Sequence, residues 1–191
     1  MIVVVGNLGA EKRRRADAAT IAGRVAGLGE RVEAVGVLAA DDAGDKRLVD
    51  LRTLGVGHAA VLRTPADRLD AADLDLALRY LPDVGAIVLV EPAADLVGAA
   101  AAAATWLGAG LVIIASEAVE LPERAPDGTP PPDQTVVLEP PRSDPDGSFA
   151  GLVAALAVRL AGGATASDAW SQAVAALGVE RLGGLSGERL P

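Results

Sequence analysis

Short, continuously apolar runs rich in Val and Ile recur along this chain, and segments with helical spacing lie between them. The clearest runs are Ile2–Val5, Ala86–Val90 and Gly110–Ala115, in which no polar residue alternates with the apolar ones. Strands of this kind are buried on both faces, as in parallel sheets that helices cover on each side. The sequence therefore predicts an α/β protein with a three-layer, Rossmann-like, mostly parallel sheet and helices on both faces.

Weaker patterns fill the intervals between these runs. They predict strands at 30–37, 58–62 and 135–138 and helices at 16–28, 41–54, 73–81, 94–107, 148–160 and 166–177. Five prolines within 121–134 forbid a helix or a central strand there and predict a surface loop. That loop is too short to separate domains, so we expect one domain over 1–191. Residues 178–191 are predicted to form a short strand or a tail.

Composition excludes several classes of function. A net charge of −9 argues against binding nucleic acid or an anionic membrane surface. The chain has no Cys and a single His, His58, which leaves neither a disulfide framework nor a His-rich metal site. No signal peptide is visible, and the Ala-rich stretch 97–107 is too short to span a bilayer. We therefore expect a cytoplasmic protein without a metal site.

One stretch combines a predicted strand, a turn and a helix start in the order that forms an anion site. The turn Asp144-Pro145-Asp146-Gly147 leads into Ser148, where free amides and a helix dipole of about half a positive charge would face a ligand. This predicts anion binding at Gly147 and Ser148, with Asp146 as the acid beside them. The alternative is an ordinary Asp/Ser helix cap after a Pro-Asp-Gly turn.

Several phrases, in this order, resemble the ribokinase-like (PfkB) family of sugar and nucleoside kinases. They are Val3–Asn7, Ala22–Gly29, Val35–Gly44, Leu54–Val56 and Asp144–Leu152. The resemblance implies the ribokinase-like fold and a sugar, nucleoside or nucleotide ligand. It places Asn7 and Glu11 at substrate positions and Gly147 and Ser148 at the phosphate-binding turn. An active member would use ATP and magnesium.

The chain also departs from the family pattern. The family's Gly-Ala-Gly-Asp phrase supplies the catalytic base, and here no acid stands at that position unless Asp146 substitutes for it. The stretch after the first strand is too short for the family's lid, so we expect the lid to be absent. A Thr-x-Asn-x-x-Glu phrase is missing between 107 and 135. The resemblance thus implies a non-catalytic pseudoenzyme that acts as a binding or interaction subunit.

Two alternatives remain open at this point: a divergent active kinase with Asp146 as its base, and a structural subunit without a ligand. The small side chains of the predicted helix 94–107 favour close packing on two sides, against the sheet and against another subunit. We therefore expect a homodimer or a complex with a partner protein.

Overall fold

The computed structural model describes residues 1–9, 16–64, 68–121, 130, 132–176 and 178. Within these residues the chain forms six strands and six helices. The strands are β1 (Ile2–Asn7), β2 (Val32–Leu38), β3 (Gly57–Arg63), β4 (Ala86–Val90), β5 (Gly110–Ile114) and β6 (Thr135–Leu138). The helices are α1 (Ala18–Gly27), α2 (Asp42–Thr53), α3 (Ala71–Tyr80), α4 (Ala94–Leu107), α5 (Ser148–Ala161) and α6 (Ala166–Ala176).

All six strands belong to one sheet, and every neighbouring pair is parallel. Their order is β3-β2-β1-β4-β5-β6, so the chain moves outward from β1 to β3 and then crosses back to β4. The direction of winding therefore reverses between β1 and β4. In sheets of this order ligands bind beyond the carboxyl ends of the strands, next to such a reversal.

Helices cover both faces of the sheet, which confirms the predicted fold class. One apolar layer joins α1, α2, α5 and α6 to the sheet, and the opposite layer joins α3 and α4 to it. In β1, Ile2 and Val4 enter the first layer while Val3 and Val5 enter the second, and all four are at most 1% exposed. A strand buried in this way needs apolar side chains on both faces, which explains the lack of alternation in the sequence.

The observed ends of these elements lie within two residues of the predicted ones. Acidic side chains fix several of the helix starts: Asp17, Asp41 and Asp70 accept hydrogen bonds from first-turn amides of α1, α2 and α3. Most of the predicted loop 121–134 lies outside the described residues, as does the predicted tail beyond Gly178. Across the part of the chain described, no helix combines the length and the apolar character needed to cross a bilayer.

Candidate functional site

The turn that connects β6 to α5 lies at the carboxyl edge of the sheet and begins with Asp144. The Gly147 amide donates to the Asp144 carbonyl over 3.2 Å, which closes a four-residue turn. Pro at the second position and Gly at the fourth are the residues that such turns favour. Gly147 has φ +71, a left-handed conformation that side chains disfavour, and it is the residue just before the helix.

The first amides of α5 are bonded to carboxylates of the same turn. The Asp144 carboxylate accepts from the Phe149 and Ala150 amides, each at 3.0 Å. The Asp146 carboxylate accepts from the Ser148 amide at 3.2 Å, and the Gly151 amide donates to the Gly147 carbonyl at 2.9 Å. The amides that would have bound an external anion are therefore occupied, and a phosphate would have to displace Asp144 to reach them.

Asp146, the predicted acid, is exposed to solvent at this turn. Hydrogen bonds from the Ser148 side chain, and then from its backbone amide, hold the pKa of Asp146 below its ordinary value. A general base works best when its pKa lies near the working pH, so a lowered pKa makes this carboxylate a weaker proton acceptor. The roles predicted for Asp146, Gly147 and Ser148 stay predictions.

A cation from α1 covers the outer side of the same turn. Arg24 donates from its guanidinium to the Asp146 carbonyl over 3.1 Å. A Cβ atom built on Gly147 would lie 2.4 Å from the Arg24 guanidinium nitrogen, so Gly147 leaves the space that Arg24 fills. This contact ties the α1 surface to the start of α5.

The end of β1 holds the two residues predicted to bind substrate, of which the structure describes one. Asn7 accepts a hydrogen bond from the Gly9 amide at 2.7 Å through its side-chain oxygen, which shapes the start of the loop. Glu11 lies outside the described residues, as does the basic run 12–15. The substrate roles of Asn7 and Glu11 therefore stay predictions.

The start of α1, beside β1, is also bonded within the chain. Asp17 accepts from the Thr20 amide at 3.2 Å, and Arg47 of α2 donates to both Asp17 carboxylate oxygens at 3.0 and 2.8 Å. Arg47 also donates to the Leu8 carbonyl at 2.9 Å. Arg47 thus neutralises the charge of this capping carboxylate and bonds both Leu8 and Asp17, the residues on either side of the β1–α1 connection.

A third polar pair lies at the ends of β4 and β5. The Glu91 carboxylate accepts from both the amide and the hydroxyl of Ser116, at 3.2 and 2.5 Å. Glu91 has φ +48, an uncommon conformation for a residue with a side chain. No local sequence pattern indicates this pair, because its members are 25 residues apart and only the parallel register brings them together.

The described residues offer little to a bound metal. Within them, no three His, Cys, Asp or Glu side chains gather as a metal-binding group. His58 lies in β3, where its Nδ1 is 3.3 Å from the Val56 carbonyl. In the arrangement observed, the first amides of α5 are bonded to Asp144 and Asp146 and are not available to the phosphates of ATP.

Comparison by sequence gives no relatives for this chain: no protein-family model matches it, and no curated protein does. Comparison by structure finds similar proteins. The chain is similar to aminoimidazole riboside kinase from Salmonella enterica over 92% of its own length and 90% of that protein's, with a TM-score of 0.59 and 14% identity. It is similar to a PfkB protein from Polaromonas sp. JS666 over 97% and 94%, with a TM-score of 0.55 and 14% identity. The chain has the ribokinase-like fold. This confirms the predicted resemblance at the level of fold.

The structural similarity concerns the fold alone. The Salmonella kinase was solved with aminoimidazole riboside and an ATP analogue, and an identity of 14% does not transfer either molecule. Other matched structures align with this chain over a smaller share of both chains. The chain spans 52% of an E. coli ribokinase II and 56% of a fructokinase from Halothermothrix orenii, so it covers about half the length of those kinases.

Proposed function

We propose that this chain is a non-catalytic relative of the PfkB kinases that acts as a binding or interaction subunit. One observation carries the proposal: the Asp144 and Asp146 carboxylates already accept hydrogen bonds from the first amides of α5. A chain that transferred phosphoryl groups at this turn would need those amides for the substrate's developing charge. Here two acidic side chains take the place of that charge.

Charge supports the same conclusion. Two carboxylates beside one helix start repel a phosphate, and one guanidinium nitrogen of Arg24 is bonded to the Asp146 carbonyl. The carboxylate that would accept a proton from an alcohol is exposed, and its pKa is lowered by Ser148. The chain would therefore bind a sugar, nucleoside or nucleotide weakly, or bind another protein as an interaction subunit. In neither case would it phosphorylate a substrate.

The second candidate is a divergent small-molecule kinase that uses ATP and magnesium. It is favoured by the position of Asp146. The carboxylate of this residue is exposed to solvent and accepts a hydrogen bond from the amide of Ser148, the first residue of α5. In this candidate Asp146 would accept the proton of the acceptor alcohol, and the amides of α5 would become available only after Asp144 moved.

Turnover distinguishes the two candidates. The protein is incubated with ATP, magnesium and a panel of sugars and nucleosides, and ADP release is measured for wild type and for Asp146→Asn. We expect both proteins to give the rate of buffer alone. ADP release by wild type that depends on the acceptor and is abolished in Asp146→Asn would replace the proposal with the second candidate.

A binding experiment tests the occupied amides directly. Asp144→Ala removes the carboxylate that caps Phe149 and Ala150 and leaves their amides free. We expect millimolar inorganic phosphate to raise the melting temperature of Asp144→Ala and to leave that of wild type unchanged, because a ligand of the native state stabilises it. Asp133→Ala, which removes an exposed carboxylate outside the turn, is the matched control. An equal phosphate effect on wild type would show that its amides are accessible and would contradict the proposal.

A further inference from the structure

The two edge strands of the sheet differ in how they are protected against pairing with another chain. At one edge, β6 has only four residues and lies between Pro132 and the pair Pro140-Pro141. Short strands and flanking prolines are common ways of blocking an exposed edge. At the other edge, β3 has seven residues, contains no proline, and carries no formal charge before Arg63. The β3 edge therefore lacks these protections.

The backbone of β3 leaves hydrogen-bonding groups on its outer side. The Thr64 amide donates to the Leu38 carbonyl of β2 over 3.3 Å. Because successive amides of a strand point to opposite sides, the amides of Val61 and Arg63 point away from β2. Nearer the start of β3, the Ala59 amide donates to the Glu33 carboxylate. Among the described residues no strand lies beyond β3, so this outer side has no neighbour in the sheet.

Apolar side chains flank this edge on both faces of the sheet. Leu62 pairs in register with Val37 and is 39% exposed. On the opposite face, α2 lies beside β3, and its Asp45 bonds to Arg63 at 2.6 Å. Val49 is one helical turn further along the same side of α2 and is 62% exposed. Leu62 and Val49 are therefore exposed apolar side chains on the two faces of the sheet next to this edge.

We propose that the β3 edge pairs in antiparallel fashion with the β3 edge of a second copy of this chain. A two-fold axis beside Val61 lets the two Val61 residues exchange their amide and carbonyl groups, and the sheet continues across the dimer. The same axis brings the two copies of Val49 together. It also brings Asp45 of each copy towards Arg52 of the other, because Asp45, Val49 and Arg52 lie on one side of α2.

The order of charges beside β3 favours a second copy as the occupant. A net charge of −9 opposes contact between two copies over most of their surfaces, but the stretch from Gly57 to Leu62 has no formal charge and adds nothing to that repulsion. On the adjoining side of α2, Asp45, which also bonds Arg63 of its own chain, and Arg52 follow an order that a two-fold axis makes complementary to itself. The competing occupant is a strand from a different protein. Sedimentation of the pure chain distinguishes the two, because only pairing between two copies gives a dimer without a second protein.

This surface differs from the dimer contact predicted at the helix 94–107, which stays a prediction. The outer side of α4 also exposes an apolar residue, Trp106, which is 57% exposed, but nothing there specifies what would cover it. The proposal adds a partner to the proposed interaction role and does not depend on the loss of catalysis. Self-association is measured without nucleotide or sugar, so its result and the turnover result are separate.

Sedimentation velocity at micromolar concentration tests the proposal on the full chain. We expect wild type to sediment as a dimer and Leu62→Lys to raise the dimer dissociation constant at least tenfold. Val137→Lys is the matched control, since Val137 is a 46% exposed apolar residue of the other edge strand. It should leave the dissociation constant unchanged. A monomeric wild type, or equal weakening by both variants, would overturn the proposal.

A second variant separates pairing from packing. Val61→Pro removes an amide that points outward and leaves the hydrogen bonds between β3 and β2 intact. We expect it to abolish the dimer while the circular dichroism spectrum stays that of the folded monomer. Should Val61→Pro unfold the chain, the comparison of Leu62→Lys with Val137→Lys still decides. A Val61→Pro protein that is folded and still dimeric contradicts the proposed pairing.

Discussion

The body of α5 and its first turn belong to one helix but serve different ends. Along the body, residues such as Leu152 and Leu156 are at most 1% exposed and join the helix to the sheet. In the first turn, the amides are bonded to Asp144 and Asp146, and Arg24 covers Gly147. The body supplies packing against the sheet, whereas the hydrogen-bonding groups of the first turn are bonded within the chain. Similar folds can therefore have different chemistry, because packing and ligand binding depend on separate residues.

The largest expected effect comes from the body of the helix. Leu156→Ala removes a fully buried side chain and leaves a cavity between α5 and the sheet, so we expect it to lower the free energy of unfolding by about 2–5 kcal/mol. Val158→Ala, at a partly buried position on the same helix, is the matched control and should cost less. Chemical denaturation measures both. If the two costs were equal, the body of α5 would not carry the packing assigned to it.

An intermediate effect is expected in the first turn. Asp144→Ala leaves the Phe149 and Ala150 amides without their capping carboxylate, which should lower the free energy of unfolding by about 1–2 kcal/mol. Asp133→Ala removes an exposed acid outside the turn and should change it by no more than about 0.5 kcal/mol. Urea denaturation of both variants checks the difference. A destabilised Asp144→Ala that still folds also supplies the protein for the phosphate experiment.

Sequence predicted the sheet far better than it predicted the turn. Runs such as Ile2–Val5 predict buried strands because burial on both faces restricts which residues a strand can contain, and the structure confirms them. An Asp/Ser cap at this turn was the open alternative, but the sequence did not single out Asp144 as the cap, because Asp144 precedes the amides it binds by five and six residues, beyond the usual capping distance of two or three. Arg24 was missed because its contact with Asp146 spans 122 residues. Such contacts depend on the left-handed Gly147 and on helix packing, which no local pattern specifies.

The smallest expected effect is the pH dependence contributed by Asp146. Its pKa in the folded chain is held below the ordinary value of 3.8 by hydrogen bonds from Ser148. The ionised carboxylate therefore favours the folded state above pH 3.8, and this contribution is lost as the pH falls through the lower, folded pKa. Asp146→Asn removes this contribution, so the melting temperatures of the two proteins should converge at acidic pH, with wild type slightly higher near neutrality.

Because the side chain of Asp146 is exposed, the difference in melting temperature should be small and should shrink with added salt. A wild type that gained stability relative to Asp146→Asn on acidification would mean that the pKa of this carboxyl is raised, as a general base requires, and would favour the active kinase.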